Sequence, residues 1–262
     1  MLSSNFKKGI NPESFQEVSD FWSFELNNEI YLKDHPGVVR GSKEYFDIIL
    51  SARRKFIYYF PIMLSYLENS PSKHFLEVGS GMGTDSIVFA RKGFNVTGVD
   101  LAPAHVELSK RLFDLYQEIG SFSVGNAENL DFPDNTFGSV FSFGALHHSP
   151  NPGRCIEEIY RVLAPCGRAV IMLYHKHSLN NIAHFLFKKG FENYNSKLDA
   201  PITYRFSKKQ VEKMFSNFSK CHIRTEYLYG AGWGKIYDIT PRVVYRILSK
   251  VMGWHLVIYL DK

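Results

Sequence analysis

Cysteine is scarce in this 262-residue chain, and long apolar runs are missing altogether. There are three cysteines, Cys155, Cys166 and Cys221, far apart and without metal-ligand spacing. So sparse and odd a count fits a reducing compartment better than a disulfide framework. No window holds the roughly 18 uninterrupted apolar residues that a membrane span requires. The first thirty residues carry Lys7 and Lys8, but Asn11, Glu13, Glu17 and Asp20 interrupt any apolar core, so no signal peptide is readable. Internal repeats and low-complexity tracts are also lacking. These absences lead to the expectation of a cytoplasmic globular protein.

What is present is ordinary in bulk. Hydrophobic residues make up 45% and charged residues 22%, enough for a sizeable core. The net charge of +5 suits an acidic ligand, a membrane surface or nucleic acid, without choosing among them.

From residue 74 the chain alternates short apolar strands with helical patterns. His74–Val78, Asn95–Asp100, Ser121–Asn126, Ser139–Phe143 and Arg168–Leu173 read as strands. Helical spacing is expected over Thr84–Lys92, Ala102–Ile119 and Pro152–Leu163. Strands and helices at these intervals imply a doubly wound α/β fold with a mostly parallel sheet covered on both faces. Before it, Ser42 should cap a helix running to about Phe60, where Pro61 should end it. After it, Ser178–Lys188, Ser207–Phe215 and Thr240–Met252 read as helices, and Cys221–Tyr229 and Trp254–Leu260 as strands. Residues 1–70 are therefore expected to form an N-terminal helical cap. Residues 71–262 should form the main domain, with an insertion at about 175–206.

The informative segment is Phe75-Leu-Glu-Val-Gly-Ser-Gly-Met-Gly-Thr-Asp85, followed by Val99-Asp100. Gly79, Gly81 and Gly83 permit a sharp strand-to-helix turn and close approach of a ligand. No lysine follows, so the loop is not a P-loop. Glu77 would repel a pyrophosphate but suits an ammonium group. Asp100 ends the next strand, where a carboxylate can accept ribose hydroxyls.

With these residues in place, the chain resembles the class I S-adenosylmethionine (SAM)-dependent methyltransferases, of the broad type that includes the ubiquinone-biosynthesis enzymes. Glu77 to Gly83 stands at that family's first motif and Asp100 at its ribose acid. Asn126-Ala127-Glu128 stands where Asp-Ala-Glu lines the adenine. Phe132 to Phe137 and Arg161 to Pro165 match the runs before its fourth and fifth strands. The resemblance implies a seven-stranded Rossmann-like sheet with its last strand antiparallel, SAM as cofactor, and in-line methyl transfer. It also places Asp85, Leu101, Phe143 and Gly144 at the cofactor. Three departures stand out: Asn126 for the usual Asp, Gly138 for a common Asp, and Pro165-Cys166-Gly167 for Pro-Gly-Gly.

The fourth strand ends in Gly144-Ala145-Leu146-His147-His148, at the carboxyl end of a parallel sheet, where ligands bind. His147 or His148 is a candidate general base, since imidazole titrates near neutrality. Tyr174, ending the fifth strand, is a third candidate for the transfer site. Alignment alone can also drive such a reaction. His175 and His177 lack further ligands nearby, so no metal is expected. Trp22, Tyr31, Arg53, Tyr58 and His175 are candidate substrate contacts.

The chain lacks the Asn/Asp-Pro-Pro-aromatic run of methyltransferases acting on nucleic-acid amines, so nucleic acid is not expected as a substrate. Thr240–Met252 carries Arg242, Arg246 and Lys250 four apart. Such a helix either lies on an anionic membrane or covers the sheet with its charges in water, and the second is the expectation here. The reading is therefore SAM-dependent methylation of a small molecule. Two alternatives are a lipid or quinone methyltransferase at the membrane surface, and a SAM-binding protein that transfers no methyl group. Oligomeric state leaves no mark in the sequence.

Overall fold

A computed structural model describes residues 12–24, 27–187, 200–230, 233 and 235–262. In chain order the helices are α1 (Pro12–Phe24), α2 (Lys43–Phe56), α3 (Phe60–Glu68), α4 (Ser86–Ala90) and α5 (Pro103–Leu115). They continue as α6 (Pro152–Val162), α7 (Leu179–Phe187), α8 (Lys208–Met214), α9 (Lys235–Ile239) and α10 (Arg242–Met252). The strands are β1 (His74–Val78), β2 (Asn95–Asp100), β3 (Gly120–Val124), β4 (Phe137–Phe143), β5 (Leu163–Tyr174), β6 (Lys220–Glu226) and β7 (His255–Asp261).

The sheet order is β3-β2-β1-β4-β5-β7-β6. The first five strands are mutually parallel; β7 is antiparallel to both neighbours, β5 and β6. Central strands send alternate residues to opposite faces. Phe75, Phe141, Val170 and Met172 join one core with Phe46, Ile49 and Met63 of α2 and α3 and with Phe89 of α4. Leu76, Val140, Ala169 and Ile171 join the other with Ile156, Ile159 and Val162 of α6. The sheet is thus doubly wound, and α2 and α3 share its core.

Local signals explain most element boundaries. The Ser42 side chain accepts the Tyr45 N–H at 3.1 Å and opens α2 as expected. That helix stops at Phe56, earlier than the apolar spacing implied. Pro61 does not end it; Pro61 sits in the first turn of α3, where a missing N–H costs nothing. Ser207 and Gln210 form a reciprocal capping box at the start of α8. α6 begins where the Asn151 side chain accepts the Arg154 N–H, with Pro152 in its first turn.

Two departures from the usual motif acquire reasons. A Cβ at Gly138 would lie 2.6 Å from the Ser72 carbonyl oxygen, so the inward strand edge has no room for a carboxylate. Cys166 occupies a left-handed backbone position, φ 59°, that the common glycine would hold without strain.

Helix α10 corrects the expectation that its charges face water while its apolar side covers the sheet. It buries Tyr245 and Ser249, and Val243, Val244, Ile247, Leu248 and Val251 are exposed. Among the described residues, no helix is long and apolar enough to cross a membrane. The expected insertion is described on both sides of residues 188–199, which lie outside the described residues.

Candidate active site

The carboxyl ends of β1, β2, β4 and β5 open into a cavity of about 370 Å³. One side of it is formed by the loop after β1 and the end of β2. The loop after β1 is tied to β2 by Gly79 and Ser80, whose N–H groups donate to the Val99 carbonyl at 2.8 and 3.0 Å. Gly79 has φ 72°, and a Cβ there would stand 2.1 Å from the Ala145 Cβ. Only glycine allows both that backbone turn and that contact with the β4 loop. At Gly81 an added Cβ would meet no atom within 4 Å, so the backbone itself faces open space in the cavity.

Asp100 ends β2 with its carboxylate held on two sides. One oxygen accepts the Gly81 N–H at 2.7 Å; the other accepts the Ala102 N–H at 2.9 Å and lies 3.2 Å from His105 Nδ1. Burial alone would raise its pKa, but His105 and the two N–H groups outweigh burial and hold it below the ordinary range. It is an anion aimed at the cavity.

Glu77 behaves oppositely. It is buried, accepts the Ser86 hydroxyl, and has its pKa pushed well up by burial and by the neighbouring Asp85 carboxylate. Asp85 is itself held in a bidentate ion pair with Arg53 of α2. The Arg53 guanidinium also lies over the Phe143 ring, 4.9 Å from its centroid. A cationic ligand group beside Glu77 would return it to the charged form. Such a cradle fits the ammonium of SAM's methionine part, and Asp100 fits its ribose.

Asn126 keeps what the motif needs from the usual aspartate. Its Oδ1 accepts the Glu128 N–H at 2.9 Å and closes the turn, a task that requires an acceptor but no charge. Asn126, Ala127, Leu101, Phe143 and Gly144 all line the cavity. Glu128 and Gly83, also expected at the cofactor, do not. The Glu128 carboxylate instead accepts the Ser149 hydroxyl and the Asn151 N–H, bracing the loop after β4. Gly83 lies against Ser109 of α5.

The two histidines after β4 separate in role. His148 lines the cavity, beside the edge of Trp22 at 4.7 Å between ring centroids. Its Nδ1 lies 2.8 Å from the Ile202 carbonyl oxygen and 3.3 Å from Thr203 Oγ1. His147 is fully buried behind it and outside the cavity lining, and neither ring nitrogen has a hydrogen-bond partner. Burial and the neighbouring His148 push its pKa well down, so it stays neutral. Its ring packs on Tyr174 at 3.8 Å. Tyr174 does line the cavity, between His147 and Trp254, the latter 4.3 Å away.

Among the expected substrate contacts, Trp22, Tyr31 and Arg53 line the cavity. Tyr58 and His175 do not. The Tyr58 hydroxyl is committed to Glu226 at 2.7 Å, and His175 Nδ1 pairs with the Gly253 carbonyl at 3.0 Å.

Sequence reasoning missed the far wall. The segment 202–206 runs beside the β4 loop: Tyr204 N–H donates to the His147 carbonyl and Phe206 N–H to the Tyr174 carbonyl, both at 2.8 Å. From the β6–β7 hairpin come Tyr227, Trp254 and His255. The His255 ring stacks on Tyr227 at 4.4 Å, and its Nδ1 pairs with the Tyr59 hydroxyl. Burial, followed by nearby Arg53, lowers its pKa to about 3. Trp233 lines the same wall and donates to Asn180 Oδ1 of α7 at 2.9 Å.

Residues 76–171 match the family described as "Methyltransferase domain". Over those residues the chain is similar to methyltransferase domains. The chain is similar to demethylmenaquinone methyltransferase of Symbiobacterium thermophilum, 35% identical over 108 residues, which cover 39% of this chain and 43% of that one. It is similar to 2-methyl-6-phytyl-1,4-hydroquinone methyltransferase of Synechocystis, 35% identical over 102 residues, covering 38% of this chain and 32% of that one. The matches thus span less than half the length of these relatives. In fold, geranyl diphosphate methyltransferase bound to GPP and sinefungin aligns with a TM-score of 0.63 at 13% identity, over 95% of this chain and 99% of that one.

Proposed function

We propose that the protein is an enzyme that binds SAM in this cavity and transfers its methyl group to a small organic acceptor. One observation carries the reading. Two carboxylates of opposite electrostatic character, Glu77 and Asp100, end adjacent strands in the same cavity that receives His148. The bound cofactor supplies an activated methyl group. The chain's residues supply the rest: Glu77 meets an ammonium, Asp100 accepts ribose hydroxyls, and the turn at Asn126–Ala127 borders the base. The small-molecule relatives in quinone biosynthesis support the same class of acceptor.

The acceptor's place is the aromatic wall formed by Trp22, Tyr174, Trp254 and Tyr227, with α1 acting as a lid. That wall favours a flat, largely apolar molecule. His148 is the base of this reading. Its Nδ1–H donates to Ile202, which leaves the buried Nε2 as the ring nitrogen that would take a proton from the acceptor atom.

Calorimetry with SAM tests the first half: the wild type binds, and Asp100→Ala loses most of its affinity. Unchanged affinity overturns the assignment. Incubation with quinol, phenol and amine panels, followed by mass detection of S-adenosylhomocysteine, tests the second. SAM binding without that product across active-site-sized acceptors favours the non-transferring alternative.

A further inference from the structure

The outward face of α9 and α10 is unusual. Seven of the fourteen large apolar side chains exposed among the described residues lie between Ile236 and Val251. Ile239 is 77% exposed, Val243 70% and Val251 69%. On α10 the positions sort by angle. Tyr245 and Ser249 point inward; Arg242, Arg246 and Lys250 form one flank. Val243, Ile247 and Val251, with Val244 and Leu248 beside them, fill the side facing away from the protein.

Exposed apolar side chains scattered singly need no explanation, whereas a contiguous strip along one helix marks an interaction surface. Two of the flanking cations are placed at its edge. The Arg242 guanidinium lies over the Tyr237 ring at 4.6 Å, and that of Arg246 over the Tyr58 ring at 5.3 Å. Both stems run along aromatic surface while the charges stay at the rim. The α10 sequence, Arg242-Val-Val-Tyr-Arg-Ile-Leu-Ser-Lys-Val-Met252, contains no acidic residue.

We propose that the α9–α10 face docks on an anionic phospholipid bilayer, its apolar strip entering the headgroup region and its basic flank meeting lipid phosphates. Charge decides the occupant. A bilayer rich in anionic lipid complements Arg242, Arg246 and Lys250. A second copy meeting this helix across a two-fold axis would oppose two basic flanks with no acid on α10 of either copy to pair with them. The docking face also adjoins the cavity. Beneath it, Tyr229, Tyr237 and Tyr245 pack with Leu179 and Trp233, and Trp233 lines the cavity wall. Docking thus places the acceptor side of the cavity next to the lipid.

Flotation of the full chain with phosphatidylcholine–phosphatidylglycerol vesicles tests the proposal without any methyl-transfer readout. The wild type is expected to float with these vesicles and to stay down with pure phosphatidylcholine. Val243→Ser with Ile247→Ser should abolish flotation; Lys250→Gln should weaken it about five-fold. Ile119→Ser, which removes an apolar side chain exposed elsewhere, should change nothing. Thermal melting confirms that each variant is folded. Absence of wild-type flotation overturns the proposal, as does flotation that survives the double substitution. A dimer in sedimentation that the double substitution dissolves, with no vesicle binding, assigns the face to a second copy and also overturns it.

Discussion

His148 Nδ1 lies 2.8 Å from the Ile202 carbonyl oxygen, and this contact decides which ring nitrogen carries the hydrogen. A carbonyl only accepts, so Nδ1 carries the hydrogen and Nε2 the lone pair. A residue 54 positions later in the chain therefore fixes the tautomer of the candidate base.

The first expectation follows from that contact. His148→Gln should lower kcat by about 10²–10⁴-fold if the acceptor loses a proton during transfer, and should remove the acidic limb of the pH–rate profile. SAM affinity, read by calorimetry, should hold within a few-fold. A variant with full kcat and an unchanged profile leaves alignment alone as the source of rate.

His147 should behave in the opposite way. Both of its nitrogens are buried without partners, and an unpaired buried polar group destabilises the fold by about 1–3 kcal/mol. His147→Phe is expected to keep activity and to raise Tm by a few degrees, roughly 2–4 °C per kcal/mol gained. A loss of kcat comparable to that of the His148 variant would return His147 to the reacting centre.

Acid should destabilise the protein earlier than its carboxylates alone would require. His255, lowered to about 3, and His147, held well below its usual value by burial, stay neutral in the fold but take up protons near pH 6.5 when unfolded. Their contribution is fully present above 6.5 and is lost as pH falls below it, at about 1.4 kcal/mol per pH unit for each, for His255 down to about 3. Glu77 has the opposite sign: its raised pKa favours the fold at low pH and opposes it as pH climbs through the raised value. Urea denaturation at pH 7.5, 6.0 and 5.0 measures the balance. The slope should flatten in His147→Phe.

Glu77 also makes a prediction for ligand binding. Its carboxyl is raised by burial and Asp85, so an arriving ammonium must displace a proton whenever the pH lies below that raised value. SAM affinity should therefore fall as the medium is acidified. Glu77→Gln should bind more weakly and lose that dependence. Calorimetry in buffers of different ionisation enthalpy reads the released proton directly.

Cys166 offers a test away from the site. An exposed side chain at φ 59° stores about 1 kcal/mol of backbone strain that glycine relieves. Cys166→Gly should raise Tm by about 2 °C, somewhat less if the freer unfolded chain offsets the gain. Activity should be unchanged.

Much of this molecule was legible from its residues, and the remainder was hidden for identifiable reasons. β1 and β2 lie where the apolar runs placed them, because buried parallel strands are continuous and end at glycine or acid. The break between α2 and α3 was hidden because apolar spacing carries on through Ile57 and Phe60, and proline serves a helix start as well as a helix end. Glu77, Asp100 and Asn126 could be placed from motif spacing, the first two at the ends of strands and Asn126 just past β3. Tyr227, Trp254, His255 and the Ile202 carbonyl were not. They reach the cavity through β6–β7 pairing and a segment with no periodic pattern. For α10 the amphipathic pattern was visible, but periodicity does not say which face the protein keeps.

The position of β7 has a consequence for the order in which the molecule can be made. β7 is the last strand in the chain, yet it lies between β5 and β6. During synthesis β6 emerges with no strand to join, since β5 is two spacings, about 10 Å, away. It waits as an unprotected edge until residues 255–261 follow. Trp254 and His255 arrive with that strand, so their side of the cavity closes after the side built by β1 and β2. A nascent chain can complete its cofactor half early and still be unable to hold an acceptor. Folding thereby delays full assembly of the site until both halves of the protein exist.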